Sequence, residues 1–162
     1  MQLHQKIPLL DLDILNALIS TYLDTPEKLA QLYAFKPNLE GIEAALLANE
    51  DFANRTLLHE SLTKQYDHYH LSKATQTNLE LLKDSNTFTV CAAHQLCLFT
   101  GPSYFIYKIL SAIKLSQELK IKFPSKNFVP VYWMGSEDHD FEEINHAFVY
   151  GKKITWENTE TG

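Results

Sequence analysis

"TFTVCAAHQLCLFTGPSYFIYKILSAIKLSQELKIKFPSKNFVPVYWM", residues 87–134, changes its hydrophobic period twice. "TFTVCAA" (87–93) is rich in β-branched, aromatic and small apolar residues, the mark of a short buried strand. "GPSYFIYKILSAIKLSQELK" (101–120) is amphipathic at helical spacing, with Pro102 at its first position. Its expected core contacts are Phe105, Ile109, Ala112, Ile113 and Leu119. "FVPVYWM" (128–134) predicts a second apolar strand, in which Pro130 would interrupt a fully paired central position. Strand, helix, strand predicts a right-handed βαβ unit of a mainly parallel sheet, hence an α/β fold.

Downstream, "HAFVYGKKITWE" (146–157) predicts a hairpin turning at Tyr150-Gly151-Lys152. Upstream, residues 1–85 read as a helical region. Thr25-Pro26-Glu27 predicts a helix opening, with Thr25 as N-cap and Leu29, Leu32, Tyr33 and Phe35 as its apolar stripe. Asn38 opens a second helix carrying Ile42, Leu46 and Leu47. A third carries Arg55, Leu58, Leu62 and Tyr66, and Ser72 caps a fourth with Leu79 and Leu82. His59, His68 and His70 are expected on these helices as surface or interface residues. The predicted domains are thus 1–85 and 86–162. With one βαβ unit and a hairpin, the sheet is too small for a closed doubly wound fold, so the chain reads as the amino-terminal piece of a longer protein. Its open edge is expected to pair with the missing portion or with a second copy, as a homodimer.

The net charge of -6 argues against nucleic acid and anionic membranes as partners. No apolar run reaches the roughly 20 residues of a membrane helix, and the amino end has no signal-peptide pattern, so a cytoplasmic location is expected. Cys91 and Cys97 form neither a disulfide framework nor a zinc pattern, and are expected to stay reduced as partly buried small hydrophobes. Glycine occurs only at 41, 101, 135, 151 and 162, so neither G-x-G-x-x-G nor G-x-x-x-x-G-K-[ST] can be written.

Ligands of open parallel sheets bind at the carboxyl ends of the strands. The first strand leads into "AAHQLCLFTGP" and the second into "GSEDHDF", so both segments are expected at one edge. His94 and Gln95 leave the first strand. Thr100-Gly101-Pro102 starts the helix, whose free N–H groups suit a phosphate or carboxylate, with Tyr104, Tyr107 and Lys108 just beyond. Glu137, Asp138, Asp140, Glu142 and Glu143 surround His139. Three readings of that cluster stand side by side. Residue type alone favours a solvated loop. His139 as a base oriented by carboxylates is the second, and a divalent metal held with His139 or His146 is the weakest.

"HQLCLFTGPSYFIYKILSAIKL" followed by "VPVYWMGSEDHDFEEINHAFV" resembles the bacillithiol biosynthesis cysteine-adding enzyme family, BshC. The resemblance spans nearly the whole chain, and its specificity lies in those two blocks together. It implies a Rossmann-like nucleotidyltransferase-type core, incomplete in this chain, behind the amino-terminal helical region. It also implies a ligase that adds L-cysteine to the amine of glucosaminyl-malate. By that resemblance His94, Asp138 and His139 are the catalytic candidates. Gln95, Thr100, Gly101, Tyr107, Lys108, Ser136, Glu137 and Asp140 are the substrate- or nucleotide-binding ones, and no metal ligand is assigned. The cofactor is left open, with ATP or another nucleotide admitted by the family relation. A noncatalytic ligand-binding module of the same fold, or an adenylyl- or nucleotidyltransferase with another substrate, are the alternatives. The family pattern has a glycine where this chain has Ala93. If that position needs a positive φ or close ligand approach, Ala93 strains the turn or narrows the pocket.

Overall fold

The structure is a computed structural model that describes residues 7–12, 14–48, 54–137 and 141–158. The chain divides into two compact units, residues 1–51 and 52–162.

The first unit is short helical segments. Helix α1 (Ala17–Asp24) opens at Asn16, whose side chain accepts from the Ile19 N–H at 2.9 Å, a cap not foreseen from the sequence. The segment after Thr25 departs from expectation. Pro26–Leu32 is a 3-10 helix, and Thr25 makes no capping bond but turns its hydroxyl back to the Thr21 carbonyl. Tighter winding eclipses side chains three apart, so no broad apolar stripe forms. Leu32 and Phe35 are accordingly exposed, while Tyr33 packs its ring edge-on to Tyr22 at 5.8 Å. Helix α2 (Leu39–Ala48) opens at Asn38 as expected, with Oδ1 accepting from the Gly41 N–H at 2.9 Å. Gly41 is buried against the Lys36 backbone, and a Cβ there would collide with the Lys36 carbonyl.

The second unit holds the parallel pair. Strand β1 (Thr87–Gln95) and strand β2 (Asn127–Gly135) run parallel in register, from Thr87 opposite Asn127 to Gln95 opposite Gly135. Helix α5 (Ser103–Lys122) connects them. Each strand is longer than its sequence pattern indicated. Pro130 sits opposite Val90 within the unbroken ladder. Among the described residues β2 pairs only with β1, and a proline is tolerated where one side of a strand has no ladder partner.

Period-two alternation assigns the layers. Phe88, Val90, Ala92 and His94 share a face with Phe128, Pro130, Tyr132 and Met134. This face meets α5, where Phe105 packs edge-on to Tyr132 at 5.4 Å and Phe128 lies 6.3 Å from Phe123. On the other face Val129, 3% exposed, packs with Leu79 of α4 (Lys73–Leu81) and with Leu82, its C-cap, backed by Leu62 of α3 (Arg55–Gln65) and by Tyr66 and Val131. Ser72 caps α4 by accepting from the Thr75 N–H. Arg55 joins these layers, donating to the carbonyls of Leu82, Ser85 and Thr87.

In α5, Ala112 and Leu119 are buried as expected, but Ile113 is exposed. It borders an open groove of about 710 Å³ between α4, α5 and β2. Cys91 also departs from expectation. It is free and exposed, because it falls on the β1 face away from α5, beyond the reach of the Leu79–Leu82 cluster. Cys97 is free and half-buried. His68 and His70 follow α3 instead of lying in it, and both are exposed.

A four-residue helix, α6 (Phe141–Ile144), leads into the hairpin of β3 (His146–Val149) and β4 (Lys152–Thr155). Its turn is the one expected. Tyr150 and Gly151 take φ of 49° and 76°, the left-handed pair of a tight hairpin. Phe141 packs edge-on to Trp156 at 5.3 Å. Among the described residues no helix is long and apolar enough to cross a membrane.

Leu82→Ala should cost about 2–4 kcal/mol in denaturant unfolding, since Leu82 is 4% exposed in the cluster that seats the sheet on α4. Glu80 gives a pH signature. Hydrogen bonds from Lys83 and then His59 hold its carboxyl below the usual carboxylate range. A folded-state pKa below the unfolded one adds stability above the unfolded pKa, which is lost as pH falls through the folded value. The small stability gap between the wild type and Glu80→Gln should therefore be present at neutral pH and close under acid, as read from thermal midpoints across pH.

Candidate active site at the carboxyl edge of the parallel pair

In-register parallel pairing puts the ends of both strands together, with His94 opposite Met134 and Gln95 opposite Gly135. The chain after β1 turns sharply through three consecutive left-handed residues, Phe99, Thr100 and Gly101, with φ of 48°, 71° and 56°. The Gly101 N–H closes this turn on the Leu98 carbonyl at 2.7 Å. A Cβ on Gly101 would lie 2.7 Å from the Cys97 Cβ and 2.9 Å from its Sγ, so close approach and positive φ both select glycine. The Thr100 hydroxyl donates to the Phe99 carbonyl, which shapes the turn. Pro102 is the N-cap of α5 and not its first residue, and it offers no side-chain cap.

Ala93 lies within β1 and is not among the positive-φ residues, so it does not strain the chain. Its carbonyl accepts from Lys108 Nζ at 3.3 Å. His94 is half-buried and held on several sides. Its Nδ1 lies 3.1 Å from the Gln95 carbonyl and its Nε2 3.0 Å from Tyr104 Oη. Its ring stacks on Tyr104 at 5.2 Å and meets Phe105 edge-on at 5.8 Å. Lys108 Nζ is 5.3 Å from the centroid of Tyr104.

Across the pair, the Tyr132 hydroxyl donates to the His94 carbonyl at 3.4 Å. Loss of solvent, and secondarily the electrostatic influence of Cys97, push the Tyr132 phenol's pKa up. After β2 the Ser136 N–H turns back to the Met134 carbonyl at 2.9 Å. A Cβ on Gly135 would sit 3.7 Å from the His94 carbonyl and 4.0 Å from Glu137 Oε1, in ordinary contact with the end of β1 and with the side chain two residues on. Of the sequence-derived candidates, His94, Gln95, Thr100, Gly101, Lys108, Ser136 and Glu137 thus gather at this edge. Tyr107 is 66% exposed and lines a shallow groove with Cys91, Ala93 and Ser111. Asp138, His139 and Asp140 lie outside the described residues. Among the described residues no three His, Cys, Asp or Glu side chains group as metal ligands.

Sequence reading assigned no site role to Tyr104 or Tyr132. Their signal was positional. Tyr104 falls in the first turn of α5, and Tyr132 is two residues before Met134, on the face of β2 that carries His94's neighbours.

Comparison with known proteins places the chain in a family. The model of the bacillithiol biosynthesis BshC N-terminal Rossmann-like domain matches residues 3–162. The chain belongs to the BshC family. It is 51% identical over 150 residues, 91% of its length, to a protein of Flavobacterium johnsoniae named "Putative cysteine ligase BshC". Relatives of the same name from Cytophaga hutchinsonii and Bacillus cytotoxicus are 46% and 30% identical over 98% and 86% of the chain. The chain spans 28%, 30% and 26% of those three proteins. The fold expected from the family, a Rossmann-like parallel sheet preceded by helices, is the fold observed.

Gly101→Ala should cost about 1–3 kcal/mol, because it adds a Cβ at positive φ against Cys97. The check is thermal denaturation beside Gly151→Ala, which has positive φ but open space, so the excess loss at 101 measures the contact with Cys97.

Proposed function

We propose that residues 86–162 form the first part of a nucleotidyltransferase-type core in a ligase that joins L-cysteine to the amine of glucosaminyl-malate. The observation that carries this reading is the parallel register of β1 and β2, which puts the His94 loop and the Ser136–Glu137 segment at one edge in a chain of this family. Condensing a carboxylate with an amine expels one carboxylate oxygen. In water that step runs uphill unless the oxygen leaves on a phosphoryl or adenylyl group, and this is the chemical reason to look for ATP or another nucleotide. The left-handed turn at 99–101 leads into the amino end of α5, whose N–H groups and dipole favour an anion, and Lys108 adds positive charge one turn on. His94, with Asp138 and His139 from the second loop, is assigned to the reacting centre. Gln95, Thr100, Gly101, Ser136, Glu137 and Asp140 are assigned to ligand binding, with Tyr107 at its margin.

Ala93 bears on the alternative of a noncatalytic module. Since it sits at an ordinary strand φ, the backbone strain that would have favoured that reading is absent.

The test is turnover of L-cysteine and glucosaminyl-malate by the full-length protein with ATP. His94→Gln should lower turnover by about 100-fold or more with the fold retained, and residues 1–162 alone should be inactive, because productive geometry needs several groups at once. Turnover by the 162-residue chain, or full activity of His94→Gln, would sink the reading.

A further inference from the structure

We propose that Tyr104 is a positioning residue for His94, fixing both the tautomer and the plane of its imidazole. The Gln95 carbonyl facing Nδ1 at 3.1 Å can only accept, so the ring's proton lies on Nδ1. A neutral imidazole then carries a lone pair on Nε2. The only way to satisfy the 3.0 Å approach of Tyr104 Oη is for the phenol to donate to it. Two further contacts fix the plane. Tyr104 stacks on the ring with 25° between planes and Phe105 stands against it at 71°, so rotating the ring out of this plane would break both contacts. Turning it over within the plane would replace the two nitrogens by carbons and break both hydrogen bonds.

Tyr104 is itself held. The Lys108 ammonium lies 5.3 Å from its centroid and donates to the carbonyl of Ala93, the residue before His94. Backbone, lysine, phenol and imidazole thus close a loop in which His94 is oriented from the first turn of α5. The sequence separation is ten residues, and the contact exists because β1 and α5 leave the same tight turn. Tyr104 acts through His94 and needs no contact with the reacting atoms.

The experiment uses the full-length protein with histidine side chains labelled with nitrogen-15. Nitrogen–proton correlations should show neutral His94 protonated at Nδ1, with Nε2 as a hydrogen-bonded acceptor. Tyr104→Phe keeps the stacked ring. It should move the Nε2 resonance toward that of an unbonded acceptor while the thermal midpoint stays near the wild type's. An Nε2–H tautomer in the wild type, or an Nε2 resonance unmoved by Tyr104→Phe, overturns the proposal. The second arm rests on the proposed ligase reading. In the active enzyme Tyr104→Phe should lower turnover by about 10- to 100-fold with a smaller change in KM, and unchanged turnover overturns the positioning role. The spectrum does not depend on turnover, so a protein without ligase activity still decides the tautomer.

Discussion

The parallel pairing of β1 with β2 is the constraint on which the second unit depends. Two parallel strands cannot be joined by a tight turn, so a crossover must carry the chain back along the pair. Here α5 does so and covers one face, with Phe105 on Tyr132 and Phe123 on Phe128. The opposite face is seated on α4 through Val129, Leu79 and Leu82, and Arg55 ties α3 to the start of β1 through three carbonyls. Apolar burial gives the pair its stability, and the register gives it direction.

Direction is what makes an edge. Because His94 and Met134 are opposite each other, the chain leaves both strands at the same end, which is where the described candidates His94, Gln95, Ser136 and Glu137 lie. The price of that arrangement is local. Three residues in succession take positive φ, two of them not glycine, which costs free energy that the surrounding packing must offset. The compact turn lets α5 begin close enough to β1 for Tyr104 to stack on His94 and for Lys108 to reach the Ala93 carbonyl. A looser connection would leave the imidazole to solvent.

Local signals were the legible ones. The period changes at 87–134 marked strand, helix and strand, and caps at Asn38 and Ser72 were readable because a side chain bonding three residues ahead is a matter of sequence spacing alone. The hairpin turn at Tyr150-Gly151 was readable because glycine between two strand patterns marks a turn of positive φ. Where local rules competed, reading failed. Thr25-Pro26-Glu27 has the composition of an α-helix start yet winds as a 3-10 helix, and Cys91, in an apolar strand, falls on a face that the Leu79–Leu82 cluster does not reach.

By itself, then, the sequence determined the order of elements, the edge at which the polar residues collect, and membership in the family through two motif blocks. Tertiary structure alone decided how those residues meet. The hydrogen bond of His94 to Tyr104 and the Tyr132 phenol on the His94 carbonyl join residues 10 and 38 positions apart. Both contacts depend on strand register and on where α5 begins. Those are set by the packing of whole elements against one another, and no window of sequence contains them.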